Sequence, residues 1–396
     1  MKLGLGNSLV RDSGQSINYA LNLNGTNQYL SKSSPSKLDL NGVSMLDNAT
    51  DGTMEAETTT WTQPGGETPT GNHVVLGTST EQYKYGSKSL KTQSTGAGDN
   101  SANYFGLPAD SWGTVVAGNK YTVEFWIRAN TAGTTVTCYI GTGQYKTSAA
   151  LVAETWTKFT FNFLATSNEV GKAVRLYYNQ ADIAYIDGFE IAQKYDLVIC
   201  ATVKPTNPMV NDYPYILTTG FESQTNGYAV TYNKSSGKLQ VGLSTKTAAA
   251  DGDYLSLPST SAIAQRYNKH TVMSIINATG TMRGYVDNVA VTADTDISTY
   301  GICRNSSDLF IGQKHSGTQK WSGLIALMQI IRFDNILLSN FVATTHKNGT
   351  TPTGGGAEVV ASYDWKGDST TFDDDKTGTG NNLTGTNITI ADRVRI

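Results

Sequence analysis

The alternation of apolar and polar positions is sharpest at Tyr121-Thr-Val-Glu-Phe-Trp-Ile-Arg128, where Tyr121, Val123, Phe125 and Ile127 fall on one side. A period of two marks a β-strand with one face toward a core. Trp126 falls on the opposite side, which predicts a strand covered on both faces, as in packed sheets. The same reading predicts strands over 134–140, 158–163, 173–178 and 184–191. Further along, strands are predicted over 197–204, 215–220, 227–233, 238–243, 270–277, 281–286, 308–312 and 323–333. Gly237, Gly280 and Asp287-Asn288 punctuate these runs as hairpin turns. Residues 248–265 read as a longer connection, and 337–346 as a short helix or irregular cover.

Two separated stretches read as parts of one sandwich. The first is residues 15–42, with Tyr19-Ala-Leu-Asn-Leu-Asn-Gly25, Tyr29-Leu30 and Leu38-Asp-Leu40; the second is 195–348. Residues 43–194 carry their own strand pattern and aromatics, and read as an inserted β-sandwich. Residues 1–14, punctuated by Gly and Ser, read as an arm, and 47–70 as a loop. A Gly-rich hinge at 349–356 precedes two strand-like runs, 358–365 and 387–391. These runs complete the sandwich either in the same chain or in a neighbouring copy.

Composition agrees with an all-β class. Charged residues make up 16% of the chain, tyrosine occurs 21 times and glycine 40 times. The net charge of −3, with no basic block, gives no electrostatic footprint for nucleic acid. No apolar run is long enough for membrane insertion, and residues 1–10 do not read as a signal peptide. Cys138, Cys200 and Cys303, an odd number without regular spacing, read as reduced core thiols rather than disulfide or zinc ligands.

The split sandwich resembles the laminin-G-like members of the concanavalin-type lectin superfamily. The resemblance rests on Ala20-Leu-Asn-Leu-Asn-Gly25, Leu38-Asp-Leu40, the run 197–205, Asn226-Gly-Tyr228, His270-Thr-Val272 and Tyr285-Val-Asp-Asn288. It continues through Leu309-Phe-Ile-Gly312 and Gly323-Leu-Ile-Ala-Leu327 to Phe333. That family usually has an acidic pair after Gly-Leu-Ile; Ala326 and Leu327 stand there instead. The run Val359-Val-Ala-Ser-Tyr-Asp-Trp365 looks like the opening of the same family placed last. The insert resembles carbohydrate-binding modules with a galactose-binding-like jelly roll, through Tyr85-Gly-Ser-Lys-Ser-Leu90, Gly118–Trp126, Trp156–Phe161 and Tyr185-Ile-Asp-Gly-Phe-Glu-Ile191. The fold implied is a concanavalin-like β-sandwich (jelly roll) interrupted by a second β-sandwich.

Candidate chemistry is sparse. Concanavalin-type hydrolases use carboxylates alternating along one strand; here Asp187 and Glu190 are the nearest pair, and their spacing puts them on opposite faces. Asp187 reads instead as an acceptor of backbone hydrogen bonds. No Gly-x-Ser-x-Gly elbow occurs. Both resemblances imply a structural calcium, for which Asp373, Asp374 and Asp375 form the densest cluster and Asp187 is a second place; a solvated loop is the competing role for the cluster. No other cofactor is expected. Sugar binding calls for flat rings beside polar groups. Trp61, Tyr104, Phe105 and Trp112, in loop-like stretches, are the glycan-binding candidates, with burial or a subunit contact as their competing role. Trp321, just before a strand, is expected to pack against the sandwich edge.

The expected function is non-enzymatic: a phage virion surface protein, such as a capsid decoration, tail or fibre subunit. Its partners would be other virion proteins, further copies of itself and cell-surface glycans. A secreted or cell-surface bacterial carbohydrate-binding protein is the alternative, and an enzyme with an unrecognised glycan site the third reading.

Overall fold

In the computed structural model the described residues are 19–33, 38, 44–46, 50–55, 61, 73–96, 105–107, 112–141, 143–168, 174–221, 226–245, 254–258, 270–276, 280–287, 289–301, 303, 308–333, 358–365, 377, 381–388 and 393–395. The chain divides into two compact units, residues 1–41 with 195–396, and residues 42–194. In chain order, β1 (Tyr19–Asn24) and β2 (Tyr29–Lys32) open the first unit. The second unit holds a one-turn helix, α1 (Thr50–Thr53), and strands β3 (His73–Ser79), β4 (Ser89–Ser94), β5 (Phe105–Leu107), β6 (Lys120–Ala129), β7 (Val136–Ile140), β8 (Gln144–Thr147), β9 (Thr157–Leu164), β10 (Val174–Tyr178) and β11 (Asp182–Lys194). The first unit resumes with β12 (Asp196–Pro205), β13 (Tyr215–Thr218), β14 (Gly227–Asn233), β15 (Lys238–Ser244), β16 (Tyr254–Pro258), β17 (His270–Ile276) and β18 (Thr281–Val286). It ends with β19 (Val289–Ala290), β20 (Thr295–Asp296), β21 (Leu309–Ile311), β22 (Ser322–Phe333), β23 (Glu358–Asp364), β24 (Thr384–Thr386) and β25 (Arg393–Arg395).

The first unit has a nine-stranded sheet, with the path β19-β18-β17-β12-β22-β1-β25, and a seven-stranded sheet, β16-β15-β14-β13-β21-β2-β24. β12 is apolar almost throughout because both its faces are covered. Leu197, Ile199, Ala201 and Val203 join the main core, while Val198 and Cys200 pack with Ile275, Tyr285, Ile331 and Phe333. β1 alternates instead: Leu21 and Leu23 are buried and Asn22 is exposed.

The C-terminal strands are supplied by the same chain. β23 runs along the end of β22 that β1 leaves open: β1 pairs Asn24 with Ser322 through Leu21 with Ile325, and β23 pairs Asp364 with Leu327 through Glu358 with Arg332. β24 pairs with β2 and β25 with β1. Val360, Tyr363, Trp365, Leu383 and Ile388 enter the main core. Asn381 ties the segment together, donating from Nδ2 to the Val360 carbonyl (2.8 Å) while its own carbonyl accepts from the Tyr363 hydroxyl (2.7 Å).

Three expectations change here. The connection over 248–265 contains β16, which pairs with β15. The strand expected over 387–391 does not start at Asn387, whose φ of 54° is left-handed and breaks extended backbone; β24 ends just before it. Trp321, expected at the sandwich edge, lies inside the main core with its ring edge-on to Tyr232. The arm at 1–14, the hinge at 349–356 and the stretch 337–346 lie outside the described residues.

The second unit is a sandwich of a five-stranded sheet, β3-β4-β11-β6-β9, and a four-stranded sheet, β5-β10-β7-β8. The alternation of β6 is realised: Tyr121, Val123, Phe125 and Ile127 enter the core, and Trp126 lies outside that cluster. Phe125 stacks between Phe159 (4.5 Å) and Phe189 (5.6 Å), which anchors the core in aromatic contacts.

All three cysteines are free and buried. Burial pushes the Cys200 thiol up to about 12 and raises that of Cys138 as well. A buried thiol is neither accessible nor ionised, so it is inert. The native chain is therefore expected to show no fast-reacting thiol in an Ellman titration at pH 8, and all three after denaturation.

Candidate functional site

Sequence spacing put Asp187 and Glu190 on opposite faces; the structure corrects this. Asp187 pairs with Trp126 and Glu190 with Glu124, so three steps along β11 match two along β6. The extra residue is a β-bulge, and Gly188 supplies its left-handed conformation (φ 59°). A bulge resets the alternation, so both carboxylates point to one face. Both line a cavity of about 450 Å³ with Ser44, Leu46, Glu55, Tyr85 and Phe189.

Asp187 is a fastener in this arrangement. Its Oδ2 accepts the backbone N–H of Lys84 (2.7 Å) and Tyr85 (2.8 Å), and its Oδ1 that of Gly188 (2.7 Å). Glu55 holds the next residues: Oε1 accepts from Ser87 N–H (2.8 Å) and Lys88 N–H (3.2 Å), and Oε2 from the Ser87 hydroxyl (2.7 Å). Burial raises the Asp187 carboxyl above its ordinary range, while the three N–H donors pull it back. Glu55 is held below its ordinary range by the Ser87 N–H and hydroxyl. The segment 84–88 so fastened lays the Lys84 ammonium 4.0 Å from the Trp126 ring centre and sets Tyr85 edge-on to that ring.

Calcium takes six to eight oxygens; of the carboxylates at this cavity, Asp187 and Glu55 already receive N–H and O–H donors. Among the described residues no group of three or more His, Cys, Asp or Glu side chains forms a metal shell. Replacing Asp187 by Ala strands its three N–H donors at about 1–3 kcal/mol for each buried one left unpaired. The D187A chain is expected to melt earlier in its second unit and to be cut by protease first around residues 84–88.

Of the four glycan candidates from the sequence, the structure describes the side chains of Trp61 and Trp112. Trp61 is 3% exposed, with its ring edge-on to Phe189 at 4.9 Å. Trp112 is 5% exposed in the same core, and its backbone bridges to Leu46. Neither presents an open ring face, because each fills space between the sheets. Phe105 lies in β5, where its backbone pairs with Leu176; Tyr104, Asp373, Asp374 and Asp375 lie outside the described residues.

An aromatic array does face outward from the four-stranded sheet. In β7 and β10 the residues Val136, Cys138, Ile140, Val174, Leu176 and Tyr178 point into the core. The intervening Thr137, Tyr139, Arg175 and Tyr177 therefore point out. Register places Tyr145 beside Tyr139, Arg175 on its other side, and Thr147 beside Thr137. The Tyr139 and Tyr145 rings stack at 4.8 Å and 17°, and Tyr139 and Tyr177 at 5.5 Å and 29°. Rings stacked across neighbouring strands stand upright on the sheet. Tyr145, at the end of the row on edge strand β8, is 58% exposed. Arg175 holds its guanidinium 5.7 Å from the Tyr139 ring centre and donates from Nη2 to the Gly141 carbonyl. The hydroxyls of Thr137 and Thr147 bond each other at 2.8 Å.

Sequence reading missed this array because it looked for aromatics in loops. The available signal was phase: in Val136-Thr-Cys-Tyr-Ile140 and Val174-Arg-Leu-Tyr-Tyr178, a tyrosine occupies an out-of-core position of an otherwise alternating strand.

No helix among the described residues is long and apolar enough to cross a membrane. No curated protein matches the chain. Two solved structures are among those similar to it. A carbohydrate-binding module, CBM40, of the Ruminococcus gnavus IT-sialidase, bound to alpha2,3 sialyllactose, is 13% identical, with a TM-score of 0.31 over 37% of this chain and 80% of that one. The CBM22-1 xylan-binding domain of Paenibacillus barcinonensis Xyn10C is 22% identical, with a TM-score of 0.26 over 35% of this chain and 89% of that one. Residues 179–333 match the Laminin_G_3 family, described as the Concanavalin A-like lectin/glucanases superfamily, so the stretch holding β12 to β22 is a concanavalin-like domain.

Proposed function

We propose that the chain is a non-enzymatic glycan-binding protein, displayed on a phage particle, and that the tyrosine array of the four-stranded sheet is its binding face. The observation that carries the reading is Tyr145, a large aromatic kept exposed at the end of a stacked row, with threonine hydroxyls and Arg175 on the same face. An open aromatic face stacks on the apolar side of a pyranose, and nearby hydroxyls fix its orientation. Asp187, the best carboxylate candidate for catalysis, is fully engaged in holding backbone, which supports binding without turnover.

Glycan-array screening followed by calorimetry tests this. Tyr145→Ala is expected to weaken the wild-type ligand about tenfold or more, equivalent to ~1.4 kcal/mol, with no change in melting temperature. Binding indifferent to both Tyr145→Ala and Tyr139→Ala would remove this face from consideration. The particle setting has its own test: mass spectrometry of purified virions should detect the chain, and recovery only from a bacterial envelope or medium would move the display to a bacterial surface.

A further inference from the structure

The charge on the tyrosine face bears on which glycan it takes, and the inference rests on that face being the binding site. The outward residues Thr137, Tyr139, Tyr145, Thr147, Arg175 and Tyr177 include one cation and no carboxylate. No Asp or Glu occurs in β7, β8 or β10, nor in the 141–143 turn between β7 and β8. The other cation of these strands, Lys146, pairs with core-facing Cys138 and turns inward, donating from Nζ to the Thr160 carbonyl at 2.5 Å. Among the described residues of these three strands, Arg175 is thus the sole charged group presented on this face.

Its guanidinium is also oriented in advance. The Tyr139 ring centre lies 5.7 Å from it and the Gly141 carbonyl takes one of its donors. A guanidinium presents five N–H donors in a planar fork that matches a carboxylate edge-on. Holding the fork in place before binding removes part of the ordering cost. Tyr177 adds a neutral donor: burial, followed by its bond with Tyr139, raises its phenol well above the ordinary value, so it keeps its proton at any physiological pH.

Geometry sets the size of the ligand. Tyr145 and Arg175 sit on strands separated by β7, two strand spacings or roughly 10 Å apart. A ring stacked on Tyr145 and an acidic group at Arg175 therefore belong to different units of one chain. We infer that this face takes an acidic polysaccharide, a hexuronic-acid chain with one sugar against Tyr145 and a neighbouring carboxylate on Arg175.

Calorimetry with the full chain tests this, using polygalacturonate, the same polymer fully methyl-esterified, dextran sulfate and neutral xylan as probes. The expected result is binding of polygalacturonate at least tenfold tighter than of its ester or of xylan. Arg175→Gln should abolish that preference, so that polygalacturonate binds no tighter than its ester, in a chain that scanning calorimetry shows to be folded. Arg175→Lys, which keeps the charge but not the fork, should restore only part of the preference. If ester or xylan binds as tightly as polygalacturonate and Arg175→Gln changes nothing, the acidic assignment is wrong although the tyrosine face still binds glycan. If dextran sulfate binds tighter than polygalacturonate with the same dependence on Arg175, the anion is a sulfate ester and the uronate assignment fails. If none of the probes binds and the glycan array is also blank, the binding reading itself falls.

Discussion

A chain ending at residue 348 is expected to lose its first unit as a cooperative fold while the second unit survives. The missing segment supplies three strands to two sheets: β23 and β25 to the nine-stranded sheet and β24 to the seven-stranded one. It also supplies the buried side chains of Val360, Tyr363, Trp365, Leu383 and Ile388. Tyr363 and Trp365 alone, at about 150–250 Å² each and about 25 cal/mol per Å², account for roughly 10 kcal/mol of apolar burial. That upper figure is comparable to the whole stability of an ordinary domain, about 5–15 kcal/mol. Truncation also strips β22 of its partner from Leu327 to Arg332, and an unpaired strand in mid-sheet invites aggregation. Scanning calorimetry should show two transitions in the full chain and one in the truncated chain. Trp365→Ala in the full-length background should lower only the transition that truncation removes. A truncated chain that keeps both transitions would mean that the C-terminal strands decorate the sandwich without completing it.

The legibility of each element in the sequence depends on how it is buried. β14 and β18 have the bounds that the sequence pattern predicts, with Tyr228, Val230 and Tyr232 of β14 and Met282 and Val286 of β18 entering the main core from one face of each strand. β12 is legible for a different reason: apolar residues on both of its faces make a continuous run. Strands β3, β4 and β8 were not legible. Their sequences are rich in Ser, Thr, Lys and Gly, and β3 and β8 lie at sheet edges where one side needs no apolar cover. Whether the C-terminal strands pack within the chain or in a neighbouring copy is open in the sequence, since the hinge permits either; in this structure β23 pairs with β22 of the same chain. The phase error at Asp187 and Glu190 came from counting by twos through Gly188, where the chain inserts one residue. No alternation rule sees a bulge without its partner strand.

The two tryptophans put forward as sugar platforms carry the second large effect, and it is on stability. Trp61→Ala is expected to cost about 3–5 kcal/mol, lowering the melting temperature of the second unit by roughly 10 °C or more. Trp61 rests edge-on against Phe189, which stacks on Phe125, which stacks on Phe159. Emptying the first position removes one end of an aromatic chain that spans the unit, and a close-packed interior cannot relax to fill a space of that size. Trp112→Ala is expected to act alike, since its ring belongs to the same core. The comparison with Tyr145→Ala then separates packing from recognition. The tryptophan variants should lose melting temperature and lose binding only in proportion to unfolding, so that binding returns on cooling below the shifted transition. Tyr145→Ala should lose binding at all temperatures with the transition unmoved. Trp61→Ala protein that stays fully folded at unchanged melting temperature yet no longer binds would return that tryptophan to the site and displace the tyrosine array.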